Sequence, residues 1–356
     1  MKIISRWGLP FIAVLAPLIF LFFIDFNQNF SNQNYDDVKD QVELISWIFS
    51  GVMSIISFFG LFIGFTYENK LIEASRQLQL IKNPITLSSE SYIHLFSEYE
   101  INVSNNKVIN LIYFGFLFTT STAIFIWGSV VGFYTKYAYS LSLEFSVEAS
   151  INFGIYVFYL LLSLFLISIT ILLNQIRNLK DPLGKEYLPS AEKVQDIILL
   201  SKIGGNIDHI ILKSNPSIEI YRNPPKNNPT YEVNFLLPIK FRNFIFSINI
   251  YNSTQTILQC DGYISNDTGQ YFSKNLSDNF PESLYNIIDE NTVGEFKLFN
   301  NQGDLLSRML MRPTFNNECI IFLITKTIYH RDGRNIDSNF TQNIKPNQLK
   351  LKYYRS

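Results

Sequence analysis

Four stretches of the chain are apolar without interruption. Trp7 to Ile24, Leu44 to Thr66, Val108 to Tyr134 and Ile151 to Leu173 contain no Asp, Glu, Lys, Arg or His. A helix needs roughly 20 such residues to cross a hydrocarbon core of about 30 Å, so the pattern predicts four transmembrane helices. The first follows Lys2 and Arg6 as a signal peptide would. It contains Pro10 and Pro17, however, and no small-residue cleavage site precedes Asp25; it is read as a retained span, kinked at Pro17.

Between the second and third stretches the period becomes that of an amphipathic helix. Leu71, Ala74, Leu78 and Ile81 recur on one face with Lys70, Glu73, Arg76, Gln77 and Gln79 opposite, until Asn83 and Pro84 stop the run. Tyr92, Leu95, Phe96 and Tyr99 form a second stripe after the capping residues Ser88 and Ser89. These two helices are expected to cover the bundle or lie in the interface; a sharper alternative is that they relay movement from the C-terminal half.

Beyond Asn174 the pattern changes again. Val194, Ile197 and Ile198 predict a short helix closed by Gly204 and Gly205. The period then falls to two, with Tyr231, Val233, Phe235, Leu237 and Ile239 as one alternating set and Phe244, Phe246, Ile248 and Ile250 as another. Five more strands are expected at Ser217 to Arg222, Thr256 to Ile264, Val293 to Phe299, Asp304 to Met311 and Glu318 to Tyr329, with one helix from about Pro281 to Glu290. The expected fold is thus a four-helix transmembrane bundle followed by a cytosolic β-rich (α+β) domain, an antiparallel sandwich or open barrel. Residues 1–180 carry the spans, at about 7–24, 44–66, 108–134 and 151–173, with the amphipathic helices at about 68–100; residues 185–356 carry the β-rich domain.

Composition sharpens this division. The chain has 356 residues, 47% of them hydrophobic and only 17% charged, with a mean hydropathy of +0.11. Residues 175–356 hold 21 Lys or Arg against 18 Asp or Glu, so the shortage of charge belongs mainly to the apolar half. Disorder and a disulfide scaffold are excluded by the high apolar content and the two cysteines. A net charge of -1 gives no global support for nucleic-acid binding.

Orientation follows from the flanking cations. Lys2, Arg6, Lys70, Arg76, Lys82, Lys107, Arg177, Lys180, Lys185 and Lys193 fall on one side, against Lys39 and Lys136 on the other. Both termini are therefore expected in the cytoplasm of a multi-pass protein of the cell inner membrane. Sequons at Asn29, Asn102, Asn252, Asn266, Asn275 and Asn339 would favour the inverse topology, but they are expected by chance in a chain this rich in Asn, Ser and Thr.

Within the spans, Gly60 and Gly64 form a GxxxG pair and Gly128 and Gly132 a second, with Gly115, Thr119 and Ala123 as another small-residue column. In lipid, helices associate through close backbone approach over such residues, so packing is the first expectation. A hydroxyl-lined path through Thr119, Thr122, Ser129, Ser50 and Ser54 in an oligomer is the alternative. The spans hold none of the intramembrane charges that mark proton pathways.

Catalytic signals are thin. His330, Arg331 and Asp332 spell the kinase HRD, but the position of the required Asn is Asp337 and no glycine-rich loop or Asp-Phe-Gly exists; a turn at Asp332 and Gly333 accounts for it. His94, His209, His330, Cys260 and Cys319 show no metal-ligand spacing. Neither a metal nor any other cofactor is expected. Two segments suit recognition instead: the loop Asn223 to Pro229 around Lys226, and a basic tail with Lys345, Lys350, Lys352 and Arg355 beside Tyr353 and Tyr354, a pattern that attracts anionic lipid heads.

The expected function is a membrane protein whose cytosolic β-rich domain binds a ligand or protein and couples it to the bundle. The Asn, Ile, Phe, Lys and Tyr bias suggests an AT-rich bacterial gene and a stress or phage-defence sensor or effector. An oligomeric channel lined by spans two and three is the first alternative, and a membrane-bound enzyme the second. Membrane lipids, a second copy of the chain, and a cytosolic protein or small molecule are the expected partners; nucleic acid is not.

Overall fold

The computed structural model describes residues 32–104, 107–137, 147–223, 230–252, 255–265, 271–275, 285–317, 319–328, 346 and 349–354. The predicted first span, Lys226, the HRD turn and Arg355 lie outside the described residues. The chain divides into two compact units, one taking in the chain up to Ser75 with Val103–Leu188, the other Arg76–Asn102 with the chain from Pro189 onward.

The first unit is helical. Helix α1 (Asn32–Lys82), α3 (Lys107–Tyr137) and α4 (Val147–Arg177) supply three helices long and apolar enough to cross a membrane. α1 differs from expectation, because the predicted span and the first amphipathic helix are one uninterrupted helix of 51 residues. Tyr67, Glu68, Asn69 and Lys70 include no Pro or Gly, so the backbone ladder continues while the side-chain pattern changes. At 1.5 Å per residue such a helix is about 75 Å long, more than twice a hydrocarbon core.

Tyr113, Phe116 and Leu117 of α3 pack against Ile169 and Leu173 of α4, with Ile56 and Leu61 of α1 beside them. A second cluster joins Met53, Ala123 and Leu166. At the end of α4, Arg177 donates to Asn110 Oδ1 at 2.7 Å and its guanidinium lies 4.8 Å from the Tyr113 and Phe114 ring centres. The helix closes where the Lys180 amide reaches the Gln175 carbonyl and the Leu179 amide that of Ile176. Leu179 takes the left-handed conformation there, at φ 58°, where glycine is the usual occupant.

The second unit is built on one antiparallel sheet of nine strands: β1 (Ser217–Asn223), β2 (Thr230–Leu236), β3 (Phe244–Asn252), β4 (Gln255–Ile264), β5 (Tyr271–Asn275), β6 (Val293–Phe299), β7 (Leu305–Asn316), β8 (Cys319–Thr327) and β9 (Leu349–Tyr353). Their order is β5-β2-β1-β8-β7-β6-β3-β4-β9. β2 and β3 stand five places apart in that order, yet the Phe235 and Phe246 rings stack with centroids 4.3 Å apart. The sheet is therefore curled around its apolar face, an open half-barrel rather than a sandwich. Gly262 fits this interior because a Cβ there would lie 2.5 Å from the Phe246 ring.

Strands β5 and β9 were not predicted, nor was α7 (Ile207–Ser214), which follows the short helices α5 (Ala191–Val194) and α6 (Ile197–Lys202). These helices bury Val194, Ile197, Leu200, Ile207, Ile210 and Ile211. Of the expected helix at 281–290, the described part begins helical at Tyr285 and Asn286 and then passes into a turn, in which Asp289 Oδ1 accepts from the Asn291 amide at 3.0 Å and from the Thr292 hydroxyl at 3.0 Å.

Residues 76–102 belong to this second unit. The end of α1 and α2 (Ser89–Val103) bury Leu78, Ile81, Tyr92, Leu95, Phe96 and Tyr99. Phe96 meets Phe241 edge-on at 5.7 Å, the Tyr99 hydroxyl donates to the Pro189 carbonyl at 2.6 Å, and the Asn206 amide donates to the Lys82 carbonyl at 2.9 Å. The two stripes read from the sequence are real, and within this unit they pack onto the α5–α7 segment and the approach to β3.

Candidate functional site

The small residues of the helical unit occupy two kinds of place. A Cβ on Gly60 would lie 2.8 Å from the Phe116 ring of α3, and one on Gly64 would lie 3.1 Å from Leu172 of α4. This pair lets α1 approach both neighbours closely. Gly115 has nothing within 4 Å of such a Cβ, and Thr119 above it donates to the Gly115 carbonyl at 2.8 Å. Thr122, Ser129 and Ser54 likewise donate to the carbonyls four residues earlier, so their protons are committed to their own helices. Gly128 and Gly132 are half-buried in α3. Large apolar side chains, among them Leu111, Phe118 and Phe158, are exposed on α3 and α4.

In the β-rich unit the register gathers charges that are distant in sequence. Strand alternation sends Phe246, Ile248, Leu258, Cys260, Phe296 and Met309 inward and the residues between them to the outer face. One row across that face reads Lys350, Asp261, Ser247, Lys297, Arg308; the next reads Lys352, Gln259, Asn249, Glu295, Leu310, Lys326. Glu295 is 6% exposed and held between Lys297, at 2.9 Å, and Arg308. Asp261 is 3% exposed and accepts from the Ser247 hydroxyl at 2.7 Å and the Gln259 amide at 2.8 Å. Burial raises its pKa above the ordinary carboxylate range, against the opposing pull of those hydrogen bonds and of Lys352 and Lys350.

Of the predicted recognition residues, Lys350 and Lys352 therefore sit not in a loose tail but on the edge strand β9, paired with β4. Leu349, Leu351 and Tyr353 alternate with them. What the sequence reading missed is that Lys297, Arg308, Arg312 and Lys326 share their face. No local signal reveals it, since only the sheet order brings β6, β7, β8 and β9 together.

Toward the other edge, the Tyr221 hydroxyl bonds the Glu219 carboxylate and its pKa is raised, first by that bond and then by burial. Cys319 lies opposite Tyr221, and burial pushes its thiol up. Neither Cys260 nor Cys319 is in a disulfide, and both are buried. Among the described residues there is no group of three or more His, Cys, Asp or Glu able to hold a metal ion. The helical unit holds an open cleft of about 260 Å³ whose lining includes Glu68, Leu71, Gln175, Lys180 and Asp181.

No family model matches this chain, and neither the curated proteins nor the solved structures searched returned a match.

Proposed function

We propose that this is a multi-pass membrane protein, of the bacterial inner membrane, in which the β-rich unit lies in the cytosol, binds a ligand or protein and relays its state to the apolar helices. The observation that carries the reading is α1. It is one helix without a break, yet its residues up to Ser75 belong to the helical unit and those from Arg76 to the β-rich unit. The chain also passes between the units after Asn102 and after Leu188. A helix that continues from one unit into the other is a route for tilt or rotation between them, provided the ligand binds one state more tightly than the second. A stress or phage-defence effector suits such a device, and a homo-oligomer suits the column of exposed Gly115 and half-buried Thr119.

The test is to break the shared helix without removing either unit. Asn69→Pro removes a ladder bond in α1, at a cost of about 3 kcal/mol to the helix interior. Growth and membrane potential would be followed on expression of the wild type and the variant. The expected result is a changed response in the variant at equal membrane abundance. Identical responses would overturn the coupling.

A further inference from the structure

The six strands β9, β4, β3, β6, β7 and β8 carry six cations, Lys297, Arg308, Arg312, Lys326, Lys350 and Lys352, and two acids, Asp261 and Glu295. Register and alternation put all eight on the outer face. Their exposure differs by sign. Both acids are buried, whereas Arg312, Lys326, Lys350 and Lys352 are exposed. What this face presents to its surroundings is therefore positive, over six strands that span about 24 Å.

Three further features narrow the partner. The curl that stacks Phe235 on Phe246 makes the apolar face concave, so the cations stand on the convex side of the sheet. Half-buried Leu310, Ile321 and Leu323 lie among them on the same face. A single-stranded nucleic acid calls for a channel with rings to stack upon, and the unit's stacked rings, Phe235, Phe246 and Phe296, are on the buried side. A two-dimensional spread of cations with interleaved apolar side chains fits a two-dimensional array of phosphates.

We propose that this outer sheet face docks on an anionic phospholipid surface, with Arg312, Lys326, Lys350 and Lys352 meeting the headgroup phosphates. The inference rests on reading the β-rich unit as the recognition part of a membrane protein, and it names the chemistry that part recognises. Asp261 and Glu295 act beneath the surface as fixed counter-charges, holding the cations apart in register without competing for phosphate from above.

The full chain, held in nanodiscs of phosphatidylcholine, is mixed with separate vesicles and floated. It is expected to rise with vesicles of phosphatidylcholine containing phosphatidylglycerol, to stay down with phosphatidylcholine alone, and to release at about 1 M salt, where the screening length is ~3 Å. Each cation at an anionic surface is worth about fivefold in partitioning. K350Q/K352Q should thus weaken flotation by about 25-fold, R312Q/K326Q by a similar factor, and K350R/K352R should restore it. Equal flotation with both vesicle types, or none with either, overturns the proposal. So does capture of a single-stranded oligonucleotide without flotation, which would assign the face to nucleic acid. Docking is read here without any signal reaching the helices, so its failure leaves the coupling through α1 standing. Conversely, an unchanged response in Asn69→Pro with docking intact would sink the coupling alone.

Discussion

Substituting the helix glycines with alanine should give a ranked series whose order follows from local space. At Gly60 the new methyl would lie 2.8 Å from Phe116 Cε2 and 3.3 Å from Cδ2, where carbon atoms rest at about 3.5–4.0 Å. The ring must retreat by roughly 0.8 Å, and it is 5% exposed among Leu117, Ile169 and Leu173. Overpacking of this kind costs about 1–3 kcal/mol, while replacing a helical glycine by alanine returns about 0.5–1 kcal/mol. Gly60→Ala should therefore destabilise by about 0–2.5 kcal/mol. At Gly64 the nearest atom is Leu172 Cδ2 at 3.1 Å, the end of a flexible side chain that is 37% exposed, so the two effects nearly cancel. At Gly51 and Gly115 nothing lies within 4 Å, and alanine should stabilise by about 0.5–1 kcal/mol. Thermal unfolding of the purified full chain in one detergent, followed by tryptophan fluorescence, reads the order directly. A Gly60→Ala variant at least as stable as Gly115→Ala would refute close packing of α1 on Phe116.

Three more measurements address the β-rich unit. Asp261 has a raised pKa when folded, so its contribution to stability is full below its unfolded value and is lost as pH rises through its folded value. The stability difference between wild type and Asp261→Asn should shift in favour of wild type as pH falls from neutral into the carboxylate range; a difference flat with pH would refute this. Cys260 and Cys319 should resist iodoacetamide in the native protein and react fully on denaturation, as mass spectrometry would show; fast native labelling would contradict their burial. Tyr99→Phe removes the 2.6 Å bond to Pro189 and should cost about 0.5–1.5 kcal/mol, seen as faster amide exchange across α2; unchanged exchange would mean the bond does not hold the hairpin.

Much of the fold was legible because burial on one side imposes a period. β1, β3 and β6 fall close to the ranges that alternation indicated, and the stripes around Leu78 and Phe96 are buried as their spacing required. The misses have separate causes. Ile207, Ile210 and Ile211 carry helical spacing behind the cap Asn206, but Gly204 and Gly205 drew the segment toward a stop. Leu349, Leu351 and Tyr353 alternate with lysines, and charge masked the period. In α1 a change of side-chain pattern at Tyr67 looked like a boundary, although nothing there interrupts the backbone. The choice between sandwich and half-barrel turned on rings five strands apart, Phe235 and Phe246, and the outer charge rows depend on the same long-range order. Neither is encoded in any local window.

The split composition of the β-rich unit also sets a timetable for synthesis. Its helical hairpin, residues 76–102, is made before α3 and α4, while the partners that cover it come afterwards. Tyr99 precedes Pro189, its hydrogen-bond acceptor, by 90 residues, a wait of roughly 5–20 s at ribosomal speed. During that interval Tyr92, Phe96 and Tyr99 are an uncovered apolar stripe, and two further apolar helices emerge from the ribosome. Completion of the β-rich unit thus waits on segments translated only after α3 and α4.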